Sequence, residues 1–254
     1  MATLQAIEVA TTASVRRHGS LRTARPASAA PTIPELLGFA SHELSGPLAT
    51  ILASTKLIEL SPAADHQALV ETITHEAHRM TATVGNLLTY ARLQRGHPLE
   101  SEPVLLGRTV ETAVGRYCLD HPSASIKITV ERGLTVEADA SDIEHILGNY
   151  LGNALKYGLG QPIRVEVRRK NRFAVVSVLD RGPGIAKVDL RRVFEPFYRV
   201  AATAKGKPGL GLGLALCRWL VEGYGGRTWT QPRRGGGAIF AFSLPLAASD
   251  PIRD

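Results

Sequence analysis

Two stretches of this chain carry apolar residues at a seven-residue repeat, and that repeat constrains the fold more than any other feature. In residues 63–95, Val70, Ile73, Ala77, Met80, Val84, Leu87 and Ala91 follow at alternating spacings of three and four. In residues 34–60, Leu37, Leu44, Ile51 and Ile58 sit seven apart, with Leu48 and Thr55 completing the seam. Such spacing places the side chains on one stripe of an α-helix, as in helices that pack lengthwise on one another. Ser61-Pro62 separates the two stretches, a capping serine followed by a good first helical residue. The hairpin so formed has one apolar face and little core. It is expected to pair with a second copy into a four-helix bundle; the alternative is that it packs on the rest of its own chain.

The remaining length must then hold the chemistry. With 254 residues, 44% hydrophobic and 21% charged, the composition excludes a wholly disordered chain, a collagen or a membrane bundle. No apolar run reaches the roughly 18 residues needed to span a bilayer. Two cysteines, Cys118 and Cys217, make neither a disulfide framework nor a metal cluster, so a reduced, cytoplasmic setting is expected. The net charge of +7 suggests nucleic acid until its distribution is read. Residues 1–33 carry +3 and residues 186–208 carry +4, so the rest balances. A basic tail and a basic loop do not form the stripe a duplex requires, and the loop suits a small polyanion.

Residues 1–33 read as a disordered leader; their arginines and serines also suit a transit peptide. Residues 34–96 form the hairpin, 97–248 a second domain and 249–254 a tail. Beyond a linker, Arg108–Cys118 reads as a helix. Ile126–Val130 and Leu134–Ala138 read as strands in a hairpin. Asp142–Tyr157 reads as a helix, and Ile163–Arg169 with Phe173–Leu179 as paired strands. Gly211–Tyr224 reads as a helix, and Arg227–Gln231 with Ala238–Leu244 as a last hairpin. The fold class is α+β: a helical hairpin, then an α/β sandwich with helices on one face of a largely antiparallel sheet.

Three polar motifs lie in this second domain. Asn149, Asn153 and Lys156 share one helix face, with Tyr157 beside them. Asparagine is a poor choice in mid-helix, and two amides with an ammonium make a site for an anion and its metal. Asp180-Arg-Gly182-Pro-Gly184 follows an apolar strand, where glycines let a ligand approach the backbone. Gly209-Leu-Gly211-Leu-Gly213 precedes a helix and frees N–H groups for phosphate. Between the last two lies Phe194-Glu-Pro-Phe197-Tyr-Arg199 and a basic, Gly- and Ala-containing stretch that reads as a lid.

Each motif alone is weak; in this order they resemble the N, G1, F and G2 boxes of the histidine-kinase ATP-binding domain, the Bergerat fold. Phe39-Ala-Ser-His42-Glu43-Leu-Ser-Gly-Pro47-Leu resembles the phosphoacceptor box of the same family. The resemblance covers residues 34–247. It implies ATP and Mg²⁺ as cofactors, with Asp180 accepting from the adenine amino group and Asn153 holding the metal. It implies phosphate contacts for Asn149, Lys156 and Arg199, and Tyr157 against the nucleotide. Gly182, Gly184, Gly209, Gly211 and Gly213 would give room and backbone donors. The implied partner is the receiver domain of a response regulator, whose Asp takes the phosphoryl group, and the implied assembly is a homodimer.

His42 lies on the outward side of the first helix. Glu43 beside it can hold or take the proton of one ring nitrogen, leaving the other nucleophilic. Pro47 cannot donate to the carbonyl of Glu43, which weakens the helix there. The other histidines lack such a setting. Two departures from the family pattern stand out. Ser45-Gly46 replaces the usual Arg-Thr or Arg-Asn, which removes the side chain that orients water for dephosphorylating the regulator. Leu210 replaces a usual Thr or Ser and removes one phosphate contact. The competing readings are a non-catalytic dimeric scaffold of the same fold and another ATPase of this fold; a DNA-binding protein fits least.

Overall fold

The computed structural model describes residues 33–60, 66–95, 99–200 and 209–247. The leader, the Ser61-Pro62 junction, most of the basic stretch after Arg199 and the tail lie outside the described residues. Helix α1 (Ile33–Leu60) runs without interruption through Pro47, and α2 (His66–Gln94) packs along it. Their serines and threonines suit mid-helix positions because the hydroxyls donate back to the preceding turn, as in Thr72 to Ala68 O and Thr81 to Ala77 O.

The face that α1 turns inward comprises Leu44, Pro47, Ile51, Ser54 and Ile58. On α2 it comprises Leu69, Ile73, Glu76, Met80, Thr83, Leu87 and Tyr90. This corrects half of the expected seam. Leu48 and Thr55 on α1, and Val70, Ala77, Val84 and Ala91 on α2, are exposed. The apolar stripe is wider than one seam. A second column lies beside the packed one, the pattern of a helix with more than one neighbour in a bundle.

The second unit is built on a five-stranded sheet of order β2-β4-β5-β7-β6: β2 (Ile126–Val130), β4 (Ile163–Lys170), β5 (Phe173–Leu179), β6 (Arg227–Pro232) and β7 (Ala238–Pro245). Only β2–β4 is parallel; the other pairs are antiparallel. A short pair, β1 (Glu102–Leu105) with β3 (Thr135–Ala138), lies apart from it. Helices α3 (Leu106–Asp120), α4 (Ala140–Tyr157) and α5 (Gly213–Gly223) complete the unit.

The expected β2–β3 hairpin is therefore not formed. β2 instead lays Ile126, Ile128 and Val130 beside Ile163, Val165 and Val167 of β4, an apolar column on an apolar column. β3 turns to β1, a strand inside the expected linker. Its four residues include Pro103 and have no strand pattern of their own.

Helix α4 begins at Asp139, whose carboxylate accepts from Ser141 N at 2.7 Å. It buries Ile143, Ile146, Leu147, Tyr150, Leu151 and Ala154 against alternate residues of β4, β5 and β7. Its opposite edge is left to carry the asparagines. Helix α5 starts at Gly213, two residues later than expected, because Gly211 has φ of 70° and belongs to the loop.

Candidate nucleotide site

A cavity of about 920 Å³ lies where α4, the end of β5, the lid segment, the glycine loop and the inner side of α2 converge. Along α4, Asn149, Asn153, Lys156 and Tyr157 all line it. Asn149 Nδ2 donates to His145 O at 3.0 Å and to Asn86 Oδ1 of α2 at 3.4 Å. Its own oxygen is left towards the glycine loop, where a Cβ on Gly213 would stand 2.0 Å from it. A side chain there would displace the Asn149 amide. Lys156 places its ammonium 5.4 Å from the Tyr157 ring centroid and beside Gly209.

Asp180 is 5% exposed at the end of β5, yet lines the cavity. Its Oδ1 accepts from Gly182 N at 2.8 Å and from Ala238 N at 3.1 Å. Both bonds fall on one oxygen, so Oδ2 is the acceptor offered to a ligand. Gly182 does not line the cavity. It stands behind Asp180, packed so closely that a Cβ there would lie 2.4 Å from Tyr157 O. Gly184, Gly209, Gly211 and Gly213 do line it. Phe197, held with φ of 62°, bonds its N–H to Gly211 O at 3.0 Å and so ties the lid segment to the glycine loop. Phe194 is anchored in the core against Phe240.

Cationic and aromatic groups surround the cavity. Burial pushes the Tyr157 hydroxyl above its ordinary pKa, with Arg199 acting in the other direction. Burial lowers His145, whose Nε2 is enclosed without a hydrogen-bond partner. On the hairpin side, Glu43, Arg79 and Asn86 reach the cavity, but His42 does not line it. His42 is exposed on α1. Glu43 is turned towards Arg79 Nη2, 3.5 Å away. Sequence reasoning missed Arg79 and Asn86; both sit in a polar helix stretch with no local signal, and only the docking of α2 on α4 reveals them.

That docking has its own polar lock. Arg92 of α2 pairs with Asp142 Oδ1 of α4, and Tyr224 donates to Asp142 Oδ2 at 2.6 Å. Tyr90 lies against Trp219 with ring centroids 6.0 Å apart.

A five-stranded mixed sheet covered by α3, α4 and α5, with the polar edge of α4, Asp180 and the glycine loop facing one cavity, defines an ATP-binding domain. Residues 138–248 match the family model described as "Histidine kinase-, DNA gyrase B-, and HSP90-like ATPase". Residues 35–96 match "His Kinase A (phospho-acceptor) domain". With both domains present in this order, the chain belongs to the histidine kinases of two-component systems.

Its similar relatives include the sensor protein KdpD of Clostridium acetobutylicum, 31% identical over 83% of this chain and 24% of that protein. The signal transduction histidine-protein kinase AfsQ2 of Streptomyces coelicolor is 31% identical over 83% of this chain and 41% of that protein. The chain thus spans less than half the length of these relatives. Among solved structures, full-length ShkA in complex with AMPPNP aligns at a TM-score of 0.58 and 25% identity, covering 87% of this chain and 47% of that one. The histidine kinase AdeS of Acinetobacter baumannii shares the fold at a TM-score of 0.58 and 20% identity, over 81% of this chain and 98% of its own. Among the described residues no helix is long and apolar enough to cross a membrane.

Proposed function

We propose that this chain is an ATP-dependent histidine autokinase that phosphorylates His42 and passes the phosphoryl group to an Asp of a response-regulator receiver domain. The observation that carries the reading is the convergence of Asn149, Asn153, Lys156, Asp180 and Gly209–Gly213 on one cavity that opens against the phosphoacceptor hairpin. In this reading residues 34–96 are the dimerising phosphoacceptor hairpin and residues 97–248 the ATP-binding domain.

Asp180 Oδ2 accepts from the adenine amino group. Tyr157 lies along the nucleotide. Asn149, Lys156 and Arg199 meet the phosphates, and the backbone N–H groups entering α5 add donors at a helix N-terminus. The residues present also suit Mg²⁺. The amides of Asn149 and Asn153 offer neutral oxygens, and the described residues hold no cluster of three or more His, Cys, Asp or Glu placed for a metal. That donor set fits a cation that takes its other ligands from phosphate and water. Bound there, Mg²⁺ would neutralise charge on the transferring phosphate.

In the transfer a neutral ring nitrogen of His42 forms the N–P bond as the bond from the γ-phosphorus to the bridging oxygen breaks, and ADP leaves. The ring proton passes to a base, for which Glu43 must exchange its contact with Arg79. The transition state is loose, so positioning and charge supply most of the catalysis. His42 lies outside the cavity of its own chain, so the nucleotide meets either this histidine after the ATP-binding domain moves against the hairpin or the histidine of a second protomer. The exposed column of Leu48, Leu52, Val84 and Leu88 suits a second hairpin. Gly46 provides no side chain for water, so Mg²⁺-dependent dephosphorylation of the regulator should be weak.

Purified protein incubated with γ-labelled ATP and Mg²⁺ tests the reading. The expected product is an acid-labile, alkali-stable label that is lost in His42→Gln and in Asn153→Ala. Intact nucleotide binding with no label would instead favour the dimeric scaffold, and no binding would overturn the site.

A further inference from the structure

We propose that Arg233, in the turn between β6 and β7, is a positioning residue for the nucleotide base, acting through Asp180. The inference rests on the reading of Asp180 as the adenine acceptor. The motif that contains Asp180 ends near Ile185, and Arg233 is 53 residues away in sequence, yet its Nη1 donates to Asp180 O at 2.8 Å.

That bond completes a four-point grip. Asp180 N donates to Ala238 O at 3.0 Å, and Oδ1 accepts from Gly182 N and Ala238 N. The backbone of Asp180 is held at its N–H and its carbonyl, and the carboxylate is held at Oδ1, which together restrict where Oδ2 can point. The turn itself is shaped to reach Asp180. Arg233 N donates to Gly237 O at 3.0 Å and Gly236 N to Arg233 O at 3.1 Å. Gly237 has φ of 97°, and a Cβ on it would fall 2.2 Å from Asp180 O. Arg181 braces the same turn from the motif side, donating to Gly235 O at 2.9 Å.

Burial, with the nearby charges of Arg181 and Arg164, lowers the pKa of Arg233, while Asp180 and Glu166 act in the opposite direction. The bond to the carbonyl of the base-reading residue holds the guanidinium among these charges of both signs.

The test uses the full chain and two nucleotides, ATP and the analogue with hydrogen in place of the adenine 6-amino group. Binding is measured for the unaltered chain, Arg233→Met, Arg233→Lys and Asp180→Asn, with thermal melting as the control for folding. The proposed bond from the adenine amino group to the Asp180 carboxylate, a bond to a charged group, accounts for about tenfold or more in affinity, and loss of the Arg233 brace puts up to that amount at stake. Arg233→Met should therefore raise the Kd and KM for ATP about tenfold, change kcat less than about twofold, and lower the preference for ATP over the analogue. Arg233→Lys, which restores one donor, should recover part of that preference. A lowered melting temperature with an unchanged preference in both variants would overturn the inference and leave Arg233 a structural residue. If Asp180→Asn keeps full ATP affinity and preference, the base reading itself fails. If Asp180→Asn loses both and Arg233→Met loses neither, the base reading survives and the role of Arg233 does not.

Discussion

The hairpin and the ATP-binding domain solve the problem of burying apolar surface in opposite ways. In the ATP-binding domain, Val110, Ile143, Ile146, Leu147, Val165, Val176, Leu216 and Phe242 are completely enclosed. In the hairpin the inward face is mostly half-buried, and Leu52 and Leu88 remain 61% and 66% exposed. A sheet covered by three helices closes its own core, whereas two helices share one contact line and leave the rest of each stripe open. The closed core of the first unit can hold a site rigidly. The second leaves an apolar column uncovered and meets the first through Arg92, Asp142 and Tyr224 and the contact of Tyr90 with Trp219. The proposed autokinase reaction calls for both features, because its acceptor histidine must meet a nucleotide held elsewhere.

The contrast can be broken by mutation. The largest effect should come from Leu147→Ala, which empties a fully enclosed position in the ATP-binding domain and should cost about 3 kcal/mol in urea unfolding. Leu52→Ser with Leu88→Ser should leave that transition within about 0.5 kcal/mol and instead weaken self-association, read by sedimentation over a concentration series. Equal losses in the two experiments would end the distinction between a closed and an open core.

Asp142→Asn addresses the seam between the units. It removes the charge that Arg92 and Tyr224 share, at an expected cost of about 1–2 kcal/mol; the cost stays low because Arg92 is 41% exposed and partly screened. Limited proteolysis between Gln94 and Leu106 should quicken in that variant. An unchanged cleavage rate would mean that the apolar contact of Tyr90 with Trp219 holds the seam alone.

The smallest effect concerns pH. Burial lowers the pKa of His145 in the folded chain, so folding favours its neutral form. That stability is present above the unfolded pKa and is lost as pH falls through the lower folded value. Melting temperature should therefore drop between about pH 7 and about pH 5, where unperturbed imidazole titrates, and His145→Phe should make that drop shallower. At the alkaline end, burial raises the Tyr117 hydroxyl to about 12. Its stabilisation is present below the ordinary tyrosine value and lost as pH rises towards the folded one.

Much of the site was legible because its chemistry depends on short, ordered spacings. Asn149, Asn153 and Lys156 face one side by helical period alone. Asp180 and the glycine loop mark themselves by glycines where no side chain fits. Gly182 stands behind Asp180 and not along the cavity wall, a distinction of depth that spacing does not contain. The β2–β3 hairpin was misread because two adjacent apolar strands satisfy a local pattern, while the strand that pairs with β2 lies beyond an entire helix. The hairpin columns were misread for a related reason. Val70, Ala77, Val84 and Ala91 form as good a heptad column as Leu69, Glu76, Thr83 and Tyr90, and periodicity cannot choose which column meets α1.

By itself the sequence determined the helices and every strand of the five-stranded sheet, that the hairpin carries more apolar surface than one contact line covers, and which polar residues gather on α4 and around its neighbouring loops. These depend on period, capping and glycine placement, all of them local. The tertiary structure decided the pairing of β2 with β4 and of β1 with β3, the inward column of each long helix, the seam formed by Arg92, Asp142 and Tyr224, and the reach of Arg233 to Asp180. Each of these joins residues distant along the chain. Their free energy arises only when surfaces are buried against one another, and no local pattern records which surfaces those will be.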